Sequence, residues 1–376
     1  MSKRTLKLAI AVSCGILSWL LFSWIPVAQS DYVHYFRPAT LDWMSGTVRL
    51  YTDTPGFRNP PWTVLMLLPF ALIPAWLGAG LVRPLTVGSV LMAAHTLSEG
   101  RLGRSVGGVL TLFSLPMLNA LYRVQLVGFV VLGAALGQVA LRRRSPVLLV
   151  LGLLLVTVKP QLSILLASLW LWIVLRDWPA RSRWCAVACC AGGLIGTLVL
   201  FGPRWPLDWL GESHNWLDPN HPALISSPWR ATLFLLPAWT PVLLALVLGL
   251  VGGSGVIRSC GRSPLIAGWA VSLCMLLLPY QHSFDSLAIL VLALPPTAEI
   301  SLPLACSLYV LSFSQFLHIF ALPHWLGAAL PVGGALALTG LLWQQGRRTG
   351  RLALGDWHAH AESDTETPPG GRSSVG

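Results

Sequence analysis

The sequence has little charge. Charged residues make up 10% of its 376 residues, while hydrophobic residues make up 55%. A soluble domain usually carries about 25% charged residues. Apolar windows near the roughly 20 residues that cross a bilayer recur along most of the chain. This scarcity excludes a soluble domain with its own core, and it predicts an all-α polytopic membrane protein.

The sequence also lacks patterns that hold metals or disulfides. Its seven cysteines lie in apolar stretches or beside a short basic loop, and none forms a CxxC pair. They are therefore expected to act as small packing residues. No HxxxH or HExxH pattern occurs, so we expect no metal and no cofactor. No ionisable residue is evident in the middle of a span apart from His95, which argues against an ion or proton path.

The net charge of +11 comes from short basic clusters between apolar runs. This distribution is typical of membrane topology signals, with arginine and lysine on the cytoplasmic side, and it argues against a nucleic-acid partner. The N-terminus has a basic start and an apolar run over Leu8–Val27 without an A-x-A site. We interpret it as a retained first transmembrane helix with a cytoplasmic N-terminus, and not as a signal peptide.

An even number of crossings between successive basic clusters gives about 12 transmembrane helices with both termini cytoplasmic. One hairpin runs out over Pro146–Val158 and back over Gln161–Leu175. The transmembrane domain covers residues 1–345, and the composition of 346–376 predicts a disordered cytoplasmic tail.

The stretch Pro61–Ser98 is too long for one simple helix. Pro69, Pro74 and Pro84 would break it. We expect one spanning helix plus a broken or partly inserted piece.

In this topology half of the acidic residues lie on the extracytoplasmic side. They are Asp31, Asp42, Asp53, Asp208, Glu212, Asp218 and Asp285. The richest segment, Gln29–Trp62, follows the first helix. Ser30 or Asp31 can cap a short amphipathic helix that runs towards Gly46. Asp31 would then share a face with His34 and Tyr35. Asp31 is our first candidate for a catalytic base; the alternative is a helix cap only.

Two outer turns carry further candidate groups. Lys159 is the only lysine beyond the first seven residues; it either contacts a phosphate or extends to the interface as a snorkelling side chain. The turn from Tyr280 to Asp285 contains a phenol, an imidazole and a carboxylate. His282 is either part of a site or an ordinary interfacial histidine.

The chain contains 18 tryptophans, many at predicted helix ends. They favour an interfacial belt. In the loop Trp205–Trp229 they could also form a surface for a sugar ring.

The order of these pieces resembles glycosyltransferase family 87. The family's first-loop Asp with aromatics, its G…LY, its F-x-YPP and its PLALLP are similar to segments of this chain. These segments are Asp31-Tyr32-Val33-His34-Tyr35, Gly46…Leu50-Tyr51, Phe57-Arg58-Asn59-Pro60-Pro61 and Leu68-Pro69-Phe70-Ala71-Leu72-Ile73-Pro74. Its GQ and K-P turns resemble Val124-Gln125 and Val158-Lys159-Pro160-Gln161, and a late histidine turn loosely resembles Tyr280-Gln281-His282. The departures are Asn59 for Tyr, Val124 for Gly, and one histidine where two are common.

The resemblance implies a GT-C-like bundle in the cell membrane. It also implies inverting, metal-independent transfer of a sugar, mannose in relatives, from a polyprenyl-phosphate donor to a lipid or glycan acceptor on the extracytoplasmic face. Asp31 would be the general base, and cations would stabilise the departing phosphate. The candidate substrate-binding residues are Tyr35, Arg37, Arg58, Lys159, Gln161, Tyr280 and His282.

A rival interpretation is a polytopic transporter or lipid flippase without transferase activity. It predicts internal repeats and broken helices with polar residues near the middle of the membrane. A purely structural membrane protein is a third alternative, but it gives no reason for a lone lysine and an acidic outer face.

Overall fold

The structure is a computed structural model. It describes residues 13, 15–46, 50–51, 53–54, 56–98, 100–214, 237, 239–258, 263–278, 282–314 and 329–363. These residues form helices and connecting turns, with no strand among them. The expectation of an all-α protein is therefore confirmed.

From α3 to α11 the connections between successive helices are short. In chain order they are α1 (15–23), α2 (Arg37–Ser45), α3 (Trp62–Ala71), α4 (Ala75–Leu97), α5 (Gly108–Leu112), α6 (Leu115–Arg123), α7 (Val127–Arg143), α8 (Pro146–Val156), α9 (Pro160–Asp177), α10 (Ala180–Phe201), α11 (Trp205–His214), α12 (Thr240–Arg258), α13 (Leu265–Leu277), α14 (Ser286–Ile300), α15 (Leu302–Ser312) and α16 (Ala329–Ser363). Two π-helical turns, Tyr32–Phe36 and Gly103–Gly107, precede α2 and α5, and a 3₁₀ turn, Ser283–Asp285, precedes α14.

Three of the described helices are long and apolar enough to cross a membrane: Ala75–Leu97, Ala180–Phe201 and Thr240–Ile257. A fourth span results if the bent pair Gly103–Leu112 and Leu115–Arg123, which turns by 56°, counts as one. Several other apolar helices are shorter, such as Pro146–Val156 and Leu265–Leu277. The chain is thus compatible with a helical membrane protein, while twelve crossings remain a prediction.

Helix α7 packs closely against α8, and glycines allow the contact. A Cβ atom on Gly152 would lie 2.9 Å from the backbone nitrogen of Gly137, so a larger residue would push the helices apart. Trp170 of α9 is fully buried against the same part of α7. This packing holds α7 beside α8 and α9. The candidate site lies where α6 leads into α7 and where α9 begins.

The first loop contains a helix that begins differently from the expected one, and its amphipathic character stays a prediction. The chain enters through the π-helical turn Tyr32–Phe36 and continues as α2. Gly46 ends it in the left-handed conformation, with φ of 69°, as the sequence predicts. Tyr32 is fully buried, and its hydroxyl donates to Phe70 O at 2.6 Å. This contact fixes the start of the loop helix against α3.

The proline-rich stretch divides into a short apolar helix, α3, and a candidate span, α4. One spanning piece with a broken partner is what we expected. Pro74 separates the two helices at the N-cap of α4, but Pro69 and Pro84 lie inside helices. Only Pro74 therefore acts as the expected break.

Arg83 corrects the expectation that the spans carry no ionisable residue apart from His95. It is fully buried within the candidate span α4. Its guanidinium donates to Phe22 O at 2.7 Å, Ile25 O at 3.0 Å and Leu121 O at 2.9 Å. These carbonyls lie at or just after the C-terminal ends of α1 and α6, where they lack helical partners. Arg83 thus joins two helix ends to a third helix.

Helices α8 and α9 form the two arms of the predicted hairpin, with Lys159 in the turn between them; that these arms cross a membrane stays a prediction. At the other end of the chain, α16 continues through Ser363. The structure therefore has helix in residues 346–363, where composition predicts disorder. Residues 364–376 lie outside the described residues.

Candidate active site

Asp31 stands just before the π-helical turn, and its carboxylate does not cap that turn. The capping bond comes from the neighbouring residue, because Val33 N donates to Ser30 Oγ at 3.4 Å. Asp31 instead accepts a hydrogen bond from Gln125 Nε2. The alternative in which Asp31 is only a helix cap is therefore wrong.

Gln125 is placed by the way α6 ends. Val124 adopts the left-handed conformation, with φ of 53°, and Gln125 N donates back to Ala120 O at 2.9 Å. A buried β-branched residue rarely has positive φ, and such strain persists only where surroundings enforce it. The strained position is the one where the resembled family has glycine. It turns the chain so that the Gln125 side chain reaches Asp31.

Lys159 is held in the turn between α8 and α9. The following Pro160 restricts it to an extended conformation, with φ of −124°, and Pro160 begins α9 as a first-turn proline. Its residue exposure is 5%, and its Nζ donates to Gln125 Oε1 at 3.0 Å and to Asp285 Oδ1 at 2.7 Å. A snorkelling lysine would extend to the surface, so that alternative is wrong.

Asp285 is fully buried at the start of α14. Besides Lys159, its carboxylate accepts from the backbone nitrogen of His282 at 2.9 Å. The His282 ring stacks on Phe284 at 4.8 Å, and the Lys159 ammonium lies 4.6 Å from the centre of the Phe284 ring. The turn from His282 to Asp285 thus encloses the ammonium with a carboxylate on one side and a ring on another.

These contacts form one connected chain, Asp31–Gln125–Lys159–Asp285, which we call the relay. An ammonium only donates and an ionised carboxylate only accepts. The Gln125 amide must therefore turn its oxygen to Lys159 and its nitrogen to Asp31. The relay joins segments far apart in sequence, since 126 residues separate Lys159 from Asp285 and 94 separate Gln125 from Asp31.

The two ends of the relay differ in access. The Asp31 side chain is 23% exposed, whereas that of Asp285 is 0% exposed. Burial raises the pKa of the Asp31 carboxyl above its ordinary value of 3.8, while the charges of Lys159 and Arg123 and the Gln125 hydrogen bond act to lower it. Of the two carboxylates Asp31 is therefore the accessible one, and a raised pKa makes a carboxylate a stronger base.

Arg123 adds an exposed cation beside Asp31. Its Nη1 lies 3.9 Å from Asp31 Oδ1 and also donates to Gln29 O at 3.0 Å. Its side chain is 45% exposed. The accessible part of the site thus presents a carboxylate and a guanidinium together, with a second cation behind them.

No protein-family model, curated protein or solved structure matches the chain. The function must therefore be argued from the site itself. Of the sequence-predicted residues, the structure brings Asp31, Lys159 and the His282 backbone together.

Other predicted residues lie elsewhere. Tyr35 packs its ring over Gly56, where a Cβ would meet it at 2.7 Å. Arg37 Nη2 donates to Ile73 O at 3.5 Å. Arg58 pairs with Glu212 at 3.6 Å. Gln161 is buried in the first turn of α9, and Tyr280 lies outside the described residues.

The sequence-based site omitted three residues that the relay and its surroundings use: Arg123, Gln125 and Asp285. Gln125 and Asp285 stood in segments singled out from the sequence, so a signal existed for both. Arg123 gave none, because a lone arginine after an apolar helix is common.

Proposed function

We propose that the chain is an integral membrane glycosyltransferase. It transfers a sugar, mannose by resemblance, from a polyprenyl-phosphate donor to a lipid or glycan acceptor on the extracytoplasmic face. Asp31 is the general base. The observation that carries the proposal is the relay: a partly exposed carboxylate is oriented by buried groups from three other segments.

The proposed transfer step uses this arrangement. The acceptor hydroxyl oxygen attacks the anomeric carbon from the side opposite the phosphate. Asp31 takes the hydroxyl proton as the new C–O bond forms. The anomeric C–O bond to phosphate breaks, and polyprenyl phosphate leaves with the electron pair. The product has the inverted configuration.

The leaving phosphate needs positive charge, since its own negative charge grows during the step. Arg123 is exposed and adjacent to Asp31, so it is the cation best able to contact the phosphate. Lys159 acts from behind: its contacts with Asp285 and Gln125 occupy the ammonium, but its charge still lowers the energy of an anion nearby. Arg37 and Arg58 have partners elsewhere and fit this role less well.

Two observations favour the rival flippase function: the 56° bend between α5 and α6, and Arg83 buried inside α4. Broken helices and charges within spans are typical of transporters. However, the Arg83 guanidinium is hydrogen-bonded to helix-end carbonyls. Asp31 and Arg123 lie outside the three candidate spans. These two facts favour a transferase.

The proposal is tested in cells and then with purified protein. A deletion strain should lose a mannosylated envelope lipid or glycan, and wild-type chain but not Asp31→Asn should restore it. Restoration of the glycan by Asp31→Asn, with both proteins in the membrane in equal amount, would contradict Asp31 as the base. Release of polyprenyl phosphate by purified wild-type chain, matched by glycosylated acceptor, distinguishes transfer from transport directly.

A further inference from the structure

A cavity lies beside the C-terminal end of the first-loop helix, away from the relay. It has a volume of about 650 Å³ and lies between the end of α2, the end of α10 and the start of α11. Its lining includes Trp43, Tyr51, Phe201, Arg204, Trp205 and Asp208. Pockets of roughly 300–1,000 Å³ are the usual size for small ligands.

The cavity combines aromatic walls with two charged side chains, Arg204 and Asp208. Trp43 and Phe201 lie against each other, with ring centres 5.1 Å apart. Among the described residues, neither the Arg204 nor the Asp208 side chain has a hydrogen-bond or ion-pair partner. Trp205 is 8% exposed, and its indole nitrogen is buried without an acceptor. Arg204 is exposed and Asp208 is half-buried, so water solvates both in the absence of a ligand. The buried Trp205 nitrogen is the group that lacks a partner, and a polar ligand in the cavity can supply one.

The charges decide which ligand fits. A carboxylate and a guanidinium together favour a neutral molecule with several hydroxyls, because Asp208 can accept from hydroxyls while Arg204 donates to hydroxyl or ring oxygens. Aromatic rings bury the apolar face of such a molecule. A sugar ring has both properties. An anionic lipid phosphate would be attracted by Arg204 but repelled by Asp208.

The cavity is also connected to the turn that holds Lys159. Tyr51 of the cavity wall donates to Asn59 O at 2.8 Å, and Asn59 Nδ2 donates to Val158 O at 2.7 Å. Val158 directly precedes Lys159. Yet Trp43 and Asp31 stand towards opposite ends of one helical segment, about 15–18 Å apart at 1.5 Å rise per residue. The cavity cannot hold the reacting hydroxyl itself.

We propose that this cavity binds a distal sugar of an oligosaccharide acceptor, several units from the hydroxyl that Asp31 activates. The inference rests on the proposed function for its account of the acceptor. Its binding chemistry is independent of transfer. It predicts that long acceptors bind better than single sugars and that the difference depends on Asp208.

The test measures binding of linear tetrasaccharides of mannose, glucose and galactose to the full chain in phosphatidylcholine nanodiscs, by calorimetry or saturation-transfer NMR. At least one should bind, and Asp208→Asn should weaken it about tenfold, as expected for loss of a hydrogen bond to a charged group. Asp177→Asn, at the far end of α9, and Trp184→Ala, at the opposite end of α10, are matched controls and should not change it. Binding of none of the three, or equal binding to Asp208→Asn, overturns the proposal.

Glycerol phosphate tests the lipid-phosphate alternative. Asp208→Asn removes a negative charge, so it should strengthen the binding of a phosphate ligand and weaken the binding of a sugar. Stronger glycerol phosphate binding together with unchanged tetrasaccharide binding overturns the proposal.

Transfer to long and short acceptors separates this site from the catalytic function. A rise in KM for long acceptors alone in Asp208→Asn supports the cavity as an acceptor site. If wild-type chain transfers sugar but binds no tetrasaccharide, the cavity proposal fails while the transferase stands. If wild-type chain binds a tetrasaccharide but transfers no sugar, the cavity proposal stands and the proposed transferase function fails.

Discussion

Lys159 and Asp285 form an ion pair with Nζ and Oδ1 2.7 Å apart, and their side chains are 6% and 0% exposed. Because both side chains are buried, this is not a surface ion pair, which would contribute little to stability. Removing one partner leaves the other charge uncompensated in the interior. This pair anchors the buried end of the relay, and several consequences can be measured.

The first prediction concerns stability. Lys159→Met should lower the free energy of unfolding by about 3–5 kcal/mol, because Asp285 would be left as an unpaired buried charge. The double variant Lys159→Met with Asp285→Asn should recover most of that loss. Thermal melts in detergent compare the series. An unchanged melting temperature in Lys159→Met would show that the pair does not form.

The second prediction concerns the catalytic contribution of Lys159. Lys159→Gln should slow transfer, because a positive charge near the leaving phosphate is lost. Lys159→Arg should retain part of the activity, since the charge persists in a different geometry. Steady-state kinetics with a fixed acceptor measure both. Wild-type turnover by Lys159→Gln would remove Lys159 from the mechanism and leave Arg123 as the cation.

A helix in the first loop and the helical hairpin around Lys159 could be predicted from sequence, whereas the role of Asp31 stays a prediction. Capping residues, prolines and an isolated lysine act locally, so their pattern is visible in the chain. The relay could not be predicted, because it depends on Gln125 and Asp285 meeting Lys159 across long separations. Arg83 was missed for a related reason: its partners are backbone carbonyls, and every residue has one.

The third prediction concerns Gln125 as a positioning residue. Gln125→Leu removes both bonds that the amide makes, so Asp31 loses its orientation while its charge remains. We expect kcat to fall about 10²-fold, as for a misplaced catalytic group, with little change in donor KM. Gln138→Leu, a buried glutamine of α7 outside the relay, is the matched control. A loss confined to donor KM would mean that Gln125 binds substrate instead.

The fourth prediction concerns pH. The pKa of Asp31 lies above 3.8 because of burial, and a base must be ionised to act. The rate of transfer should therefore fall on acidification, and the acidic limb of the pH profile should lie above pH 3.8. Arg123→Gln removes a charge that lowers the Asp31 pKa, so the limb should move to higher pH. Arg101→Gln, in the segment after α4, should leave it in place. A limb that does not move with Arg123→Gln would assign it to another group.

The fifth prediction concerns metal. Among the described residues no three His, Cys, Asp or Glu side chains form a group able to hold an ion. The mechanism above uses arginine and lysine for the phosphate, so transfer should survive a chelator. Activity lost in EDTA and restored by magnesium or manganese would make Asp31 a ligand instead of a base.

Asp31→Asn tests the central claim most directly. Asparagine keeps the size of the side chain but cannot take a proton. A raised folded-state pKa means that ionised Asp31 adds no stability at neutral pH, since that contribution is lost as pH rises through the pKa. The melting temperature should therefore not fall. Purified Asp31→Asn in nanodiscs, given polyprenyl-phosphate mannose and acceptor, should release polyprenyl phosphate at least about 10²-fold more slowly than wild type. Equal rates for the two proteins would contradict the assignment of Asp31 as the base.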